Sequence, residues 1–145
     1  MKRIAGLLAL SVAVVMGPAA RGDAAADDWK KLAGTWKVDA ATLNGEDAKA
    51  MLKDAVLTIE EGKYKLQLGV TDAGTLAIDP NKKPKQMTIT AAEGPNKGKT
   101  FPAIYQVDGD ALKICYTLVG KEAPKEFKST PETKTLLVAY KREKK

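Results

Sequence analysis

The chain has 145 residues, 24 of them basic and 18 acidic, with a formal net charge of +6, no histidine and one cysteine. Without histidine there is no Ser-His or Cys-His nucleophile and no histidine-ligated zinc, and one cysteine cannot close an intramolecular disulfide. The length suits one domain around one modest core.

The N-terminus reads as an export signal. Lys2 and Arg3 precede an apolar run from Ile4 to Met16, broken only by Gly6 and Ser11, and the small-residue stretch GPAARGDAAADD follows. Positive charge, a short apolar core and a small-residue exit are the order of a secretory signal peptide, and the run is too short to span a bilayer. Residues 1–24 are the expected signal, cleaved after Ala24, with Gly22 as the other acceptable site. The alternative is a retained N-terminal anchor. No cysteine follows the run, so a lipid anchor on cysteine is excluded. The expected location is the periplasm or the cell exterior. Removing Lys2, Arg3, Arg21 and Asp23 takes the 24 basic and 18 acidic residues to 21 and 17, a net of +4 over 25–145. No second apolar run suggests a membrane span. Scattered lysines with Arg142 as the remaining arginine do not make a nucleic-acid surface, and they read instead as a solvated exterior.

Asp27 and Asp28 are expected to cap a short helical turn in which Trp29 and Leu32 share a face. From Gly34 the pattern has period two: Gly34, Trp36, Val38 and Ala40 fall on one side, Thr35, Lys37 and Asp39 on the other. Asn44-Gly45 ends this strand. Glu46 to Ala55 reads as one short helix with Ala48, Met51 and Leu52 on a stripe, covering one end of the fold. Strands AVLTIEE and KYKLQLG then flank Glu61-Gly62, a hairpin signal. An Asp72-Ala73-Gly74 turn leads to GTLAID, the loop PNKKPK to QMTITAA, and the loop EGPNKGK to TFPAIYQV. Pro102 lies inside that strand and marks an edge or bulge position. Asp108-Gly109 is the clearest hairpin turn, before DALKICYTL. A long polar connection, Val119 to Lys134, with one short turn near Phe127, leads to the last strand, TLLVAYKR.

Eight short strands joined by turns, with no βαβ spacing, predict an all-β fold. Consecutive hairpins give up-and-down order, which closes most simply into an eight-stranded antiparallel barrel without free edges. Alternation assigns its inner face to Trp36, Val38, Leu57, Ile59, Tyr64, Leu66, Leu68, Leu76, Ile78, Met87, Ile89, Phe101, Tyr105, Val107, Leu112, Ile114, Tyr116, Leu136, Val138 and Tyr140. Eight strands enclose an interior that side chains just fill, or that leaves room for one small ligand. The many large residues favour filling.

Gly34-x-Trp36 after a helical turn, eight meandering strands and a basic Arg142 ending the last one resemble the lipocalin and fatty-acid-binding barrels. The resemblance implies that Trp36 closes the barrel base and that Arg142 lies across it. By alternation Arg142 shares the face of Tyr140 and Val138, within reach of Trp36, as a cation over an aromatic face. The segments KLAGTWKV, DPNKKPKQMTIT, EGPNKGKT, AIYQVDGDALKICY, PKEF and LLVAYKRE are more closely similar, in order and spacing, to a secreted lipocalin-like domain family of unknown function recurrent in Planctomycetes. That resemblance implies a fold and no activity. Fatty-acid-binding proteins hold a carboxylate with interior arginines and an Arg-x-Tyr near the C-terminus. Here the sequence has AYKRE and no other arginine after Arg21, which counts against a buried carboxylate clamp.

The chemical inventory is short. Ser129 sits in a loop and Cys115 among apolar neighbours without a base partner, so no catalytic residue is expected. Asp108 and Asp110 bracket Gly109 as turn aspartates do. No metal-binding or cofactor-binding pattern appears. Tyr64, Tyr105, Tyr116 and Tyr140 all fall on the inner phase, and a buried phenol needs a partner: a ligand, a water or a neighbouring side chain. The plainer reading of these tyrosines is as core residues; the expected role of the protein is a non-catalytic exported barrel that binds a small apolar molecule, which their hydroxyls would orient. The alternative is a structural or protein-interaction domain whose barrel is filled. An interior void of about 300 Å³ or more separates the two.

Overall fold

The computed structural model describes residues 24–143. The predicted export signal lies outside them except for Ala24, the first residue of helix α1 (24–32). After α1 come β1 (Gly34–Leu43), β2 (Glu46–Asp47), the one-turn helix α2 (Lys49–Leu52), β3 (Val56–Glu60), β4 (Lys63–Leu68) and β5 (Val70–Asp79). Then follow β6 (Gln86–Glu93), β7 (Thr100–Asp108), β8 (Ala111–Thr117) and β9 (Thr135–Arg142). The strands pair antiparallel in the order β1-β3-β4-β5-β6-β7-β8-β9, and β9 pairs back onto β1. The result is the predicted closed eight-stranded up-and-down barrel of lipocalin-like form. The two-residue β2 hooks onto the end of β1 through Thr42↔Asp47. No helix among the described residues is long and apolar enough to cross a membrane.

Register assigns the two ends. The turns at 61–62, 80–85 and 109–110 share one end with α1, here called the base. The β1–β3 connection with α2, Gly69, the loop 94–99 and the start of the 118–134 segment share the other, the mouth. Of the predicted inner residues, all but Leu68 belong to the core or pack against it. Leu68 ends β4 beside the Gly69 turn, where the wall stops. Leu32, Ala41, Ala48 and Ala103 complete the core.

Five local expectations change. A β-bulge between Val38 and Ala40 shifts the phase of β1, so Ala41 is buried and Ala40 exposed. The predicted helix over Glu46 to Ala55 contracts to α2, because Glu46 and Asp47 pair with β1. Met51 leaves the stripe and is 65% exposed. The Asp72-Ala73-Gly74 turn is not a turn: β5 begins at Val70, and the reversal is at Gly69. Asp27 and Asp28 lie inside α1 and do not cap it. Pro102 is not in an edge strand, but its β8 side is locally unpaired, as an edge would be. It pairs with Thr88 and sits one residue beyond the start of pairing with β8, where a missing N–H removes no ladder bond.

The long polar connection is a strap. Ile104, Cys115 and Leu137 form one row across β7, β8 and β9 on the outer phase, yet Ile104 and Cys115 are fully buried. The 118–134 segment covers them. The Cys115 thiol donates to the Lys128 carbonyl at 3.5 Å, and the Thr135 hydroxyl donates to the same oxygen at 2.6 Å. Lys113 Nζ lies 5.6 Å from the Phe127 ring centre. Ser129 is structural: its hydroxyl donates to Thr135 O at 2.7 Å and accepts from the Asn44 N–H at 2.9 Å, tying the strap to the β1–β2 turn.

Candidate functional site

The base is closed by residues from both ends of the described chain. Helix α1 ends with its last carbonyls free of intrahelical partners. Trp36 Nε1 donates to Leu32 O at 2.9 Å, and the Arg142 fork donates to Ala33 O at 2.6 Å and Lys31 O at 2.7 Å. A cation at a helix C-terminus also suits the helix dipole. Trp36 and Arg142 are direct cross-strand partners, and the guanidinium carbon lies 4.3 Å from the Trp36 ring centre. Arg142 Nε pairs with Asp110 at 3.1 Å, so the β7–β8 turn joins the cluster. Gly34 makes this possible. Its φ is +134°, and a Cβ there would stand 2.6 Å from an Arg142 guanidinium nitrogen. The three residues of the Gly-x-Trp and Arg142 signature thus meet at the base and do not line the interior cavity.

Tyr105 belongs to the base as well. Its hydroxyl donates to Asp28 Oδ2 at 2.7 Å, and Lys85 Nζ donates to the same carboxylate at 2.9 Å. Asp28 is 3% exposed. Burial, then the bond to and charge of Asp28, pushes the Tyr105 phenol above the usual tyrosine range. Its partner is a neighbouring side chain, one of the three possibilities for a buried phenol.

The mouth half of the interior is not filled. A cavity of about 150 Å³ lies between β3–β9, walled by Leu57, Leu66, Leu76, Ile89, Phe101, Ile114 and Leu136. That is half of the roughly 300 Å³ that favours binding, so the interior falls short of that criterion without being fully packed. Tyr64 and Tyr116 line it; Tyr105 and Tyr140 do not. The Tyr116 and Tyr140 hydroxyls are 2.6 Å apart, bonded to each other. Burial pushes both phenols up, Tyr116 well above its usual value and Tyr140 to about 12, the bond from Tyr116 partly offsetting the second.

Asp72 is the one charged side chain on the cavity wall. It faces inward because β5 alternates from Val70, placing Asp72, Gly74 and Leu76 in one phase. The Tyr64 hydroxyl donates to its Oδ1 at 3.0 Å and the Asn96 amide to its Oδ2 at 3.1 Å. Burial, the bond to Asp72 and the charge of Asp72 hold the Tyr64 phenol above the usual range. Asn96 reaches Asp72 because Gly94, at φ +92°, lets its loop press onto the Thr71 carbonyl where a Cβ would clash. The cavity extends to the barrel end at Leu118, which is 41% exposed. The other large exposed hydrophobics among the described residues, Met51, Val70 and Val119, also stand at this end.

Sequence reasoning missed Asp28, Asp72 and Asn96. Each lay in a stretch whose composition also signals a cap or a turn. The signal for Asp72 was the unbroken alternation from Val70, hidden by the Asp-Ala-Gly triplet. Among the described residues, no group of three or more histidine, cysteine or carboxylate side chains could hold a metal ion. In comparison with known proteins, no family model matches the sequence, and neither curated proteins nor solved structures give a match.

Proposed function

We propose that the protein is an exported, non-catalytic lipocalin-like barrel that holds one small, mostly apolar molecule in the mouth half of its interior. The observation that carries this reading is the apolar cavity of about 150 Å³ above a sealed base. An apolar cavity of about that size accommodates a benzene-sized molecule. Tyr64 and Tyr116 line the cavity, and with the Tyr64 hydroxyl donating to Asp72 and the Tyr116 hydroxyl bonded to Tyr140, they would orient a ligand through their remaining acceptor positions. Tyr140 reaches it only through its bond to Tyr116, and Tyr105 is engaged at the base. The Gly34, Trp36 and Arg142 cluster supports membership of the secreted lipocalin-like family that the motifs resemble. The absence of histidine and the structural engagement of Ser129 and Cys115 support a role without catalysis. The packed base favours the second reading, a structural or interaction domain, for that half of the barrel.

Thermal-shift screening of the purified protein tests the choice. Toluene, hexanol and related small apolar compounds should raise the melting temperature with concentration, as any ligand of the native state does. Leu66→Phe, which fills the cavity, should abolish the shift while preserving the fold. No shift across the panel leaves the filled-barrel reading standing. Expression with the native N-terminus tests export: the released protein should begin at Ala25, and a chain that retains Met1 to Ala24 contradicts cleavage.

A further inference from the structure

The cavity has a sign. Its wall carries one carboxylate, Asp72, and no lysine or arginine. From this the geometry points to a ligand with a cationic head: a small primary amine whose ring-sized apolar tail fills the cavity and whose ammonium meets Asp72. This deepens the binding reading above and rests on it.

The donor count supports the assignment. A carboxylate offers about four acceptor positions. Asp72 uses one on each oxygen, for the Tyr64 hydroxyl and the Asn96 amide. Two positions are left for an ammonium, which brings three donors and no acceptor. The two existing bonds fix the carboxylate at the cavity wall, so a ligand meets it already oriented. An anionic ligand would meet the same carboxylate with no cation on the wall to offset the repulsion. Tyr64 cannot readily turn its hydroxyl toward such a ligand, because it already donates to Asp72. Size limits the tail: about 150 Å³ suits one ring or a chain of about six carbons, not a long acyl group.

The test compares three probes of one size by calorimetry and NMR titration of the purified protein: benzylamine, toluene and phenylacetate. Benzylamine should bind about tenfold or more tighter than toluene, the size of one charge-assisted hydrogen bond. Phenylacetate should bind weakest. Asp72→Asn, which keeps an acceptor for Tyr64, should remove the advantage of benzylamine over toluene. Toluene binding in that variant reports that it is folded, and the wild-type ranking stands as a test without it. Should toluene bind and benzylamine bind no tighter, the inference falls and the cavity reading survives. If phenylacetate binds as tightly as benzylamine, the assigned sign is wrong. Binding of none of the three removes both the cavity reading and this inference.

Discussion

Arg142 stands directly across from Trp36 in the β1–β9 register and reaches over its ring to the last carbonyls of α1. One side chain therefore joins the helix, the first strand, the last strand and the β7–β8 turn. Arg142→Lys should destabilise the fold by about 1 to 3 kcal/mol, because an ammonium cannot reproduce the planar fork. Trp36→Ala removes a fully buried indole and should cost roughly 3 to 5 kcal/mol. Denaturant melts measure both, and a neutral Arg142→Lys would mean that the fork bonds contribute nothing net.

The Asp28 carboxylate should behave as a coupled latch. Tyr105→Phe removes its shortest bond and leaves Lys85 as the remaining donor among its hydrogen bonds, at an expected cost of about 1 to 3 kcal/mol. Combined with Asp28→Asn, the loss should be smaller than the sum of the two, since both act on one interaction. Additive losses in the double-mutant cycle would show that the pair is independent.

Stability should fall on the alkaline side. Burial holds all four phenols above the usual tyrosine value, Tyr140 to about 12. Above pH about 10 the unfolded chain loses phenol protons that the fold retains, so the folded state is penalised as pH rises. Stability contributed by the neutral phenols is complete below pH about 10 and lost through pH 12 for Tyr140. Tyrosinate absorbance should rise together with loss of the strand circular dichroism signal. Tyrosinate appearing at pH 10 in an intact barrel would place the phenols in contact with solvent.

Gly94→Ala should both strain the backbone and push the 94–99 loop off β5. The expected cost is about 1 to 3 kcal/mol, with the side-chain amide signal of Asn96, which donates to Asp72, changing before signals of the base do. If the melting point and the Asn96 signal are unchanged, the close approach of Gly94 to Thr71 is not required.

Alternation made the barrel legible because six of the eight wall strands keep strict period two, the exceptions being the bulge in β1 and an extra residue, Ala92, in β6 opposite β5, and because most of the reversals carry a glycine. The Trp36 and Arg142 pairing followed from the same phase argument. What failed was local competition. At Asp72-Ala73-Gly74 turn-type residues sit in a strand because register with β4 continues through them. At Val38 to Ala40 a bulge changes phase with no mark in composition. The strap hid a second buried layer because a polar segment can cover apolar rows with its backbone and a few side chains. The cavity was invisible for another reason. Whether large inner residues meet depends on barrel shear and rotamers, which alternation does not encode. The four tyrosines, equivalent in the sequence, therefore divide into two on the cavity wall and two away from it.

The seam between β1 and β9 also governs how the protein can be made. Every other wall contact joins neighbours in sequence, but this one joins the first strand to the last. A chain stopped after β8 would carry two unpaired edges, on β1 and β8, each a template for aggregation. No N-terminal fragment can hold Trp36 under its cation. The ring closes only after Arg142 has emerged, so no shorter N-terminal segment completes the barrel.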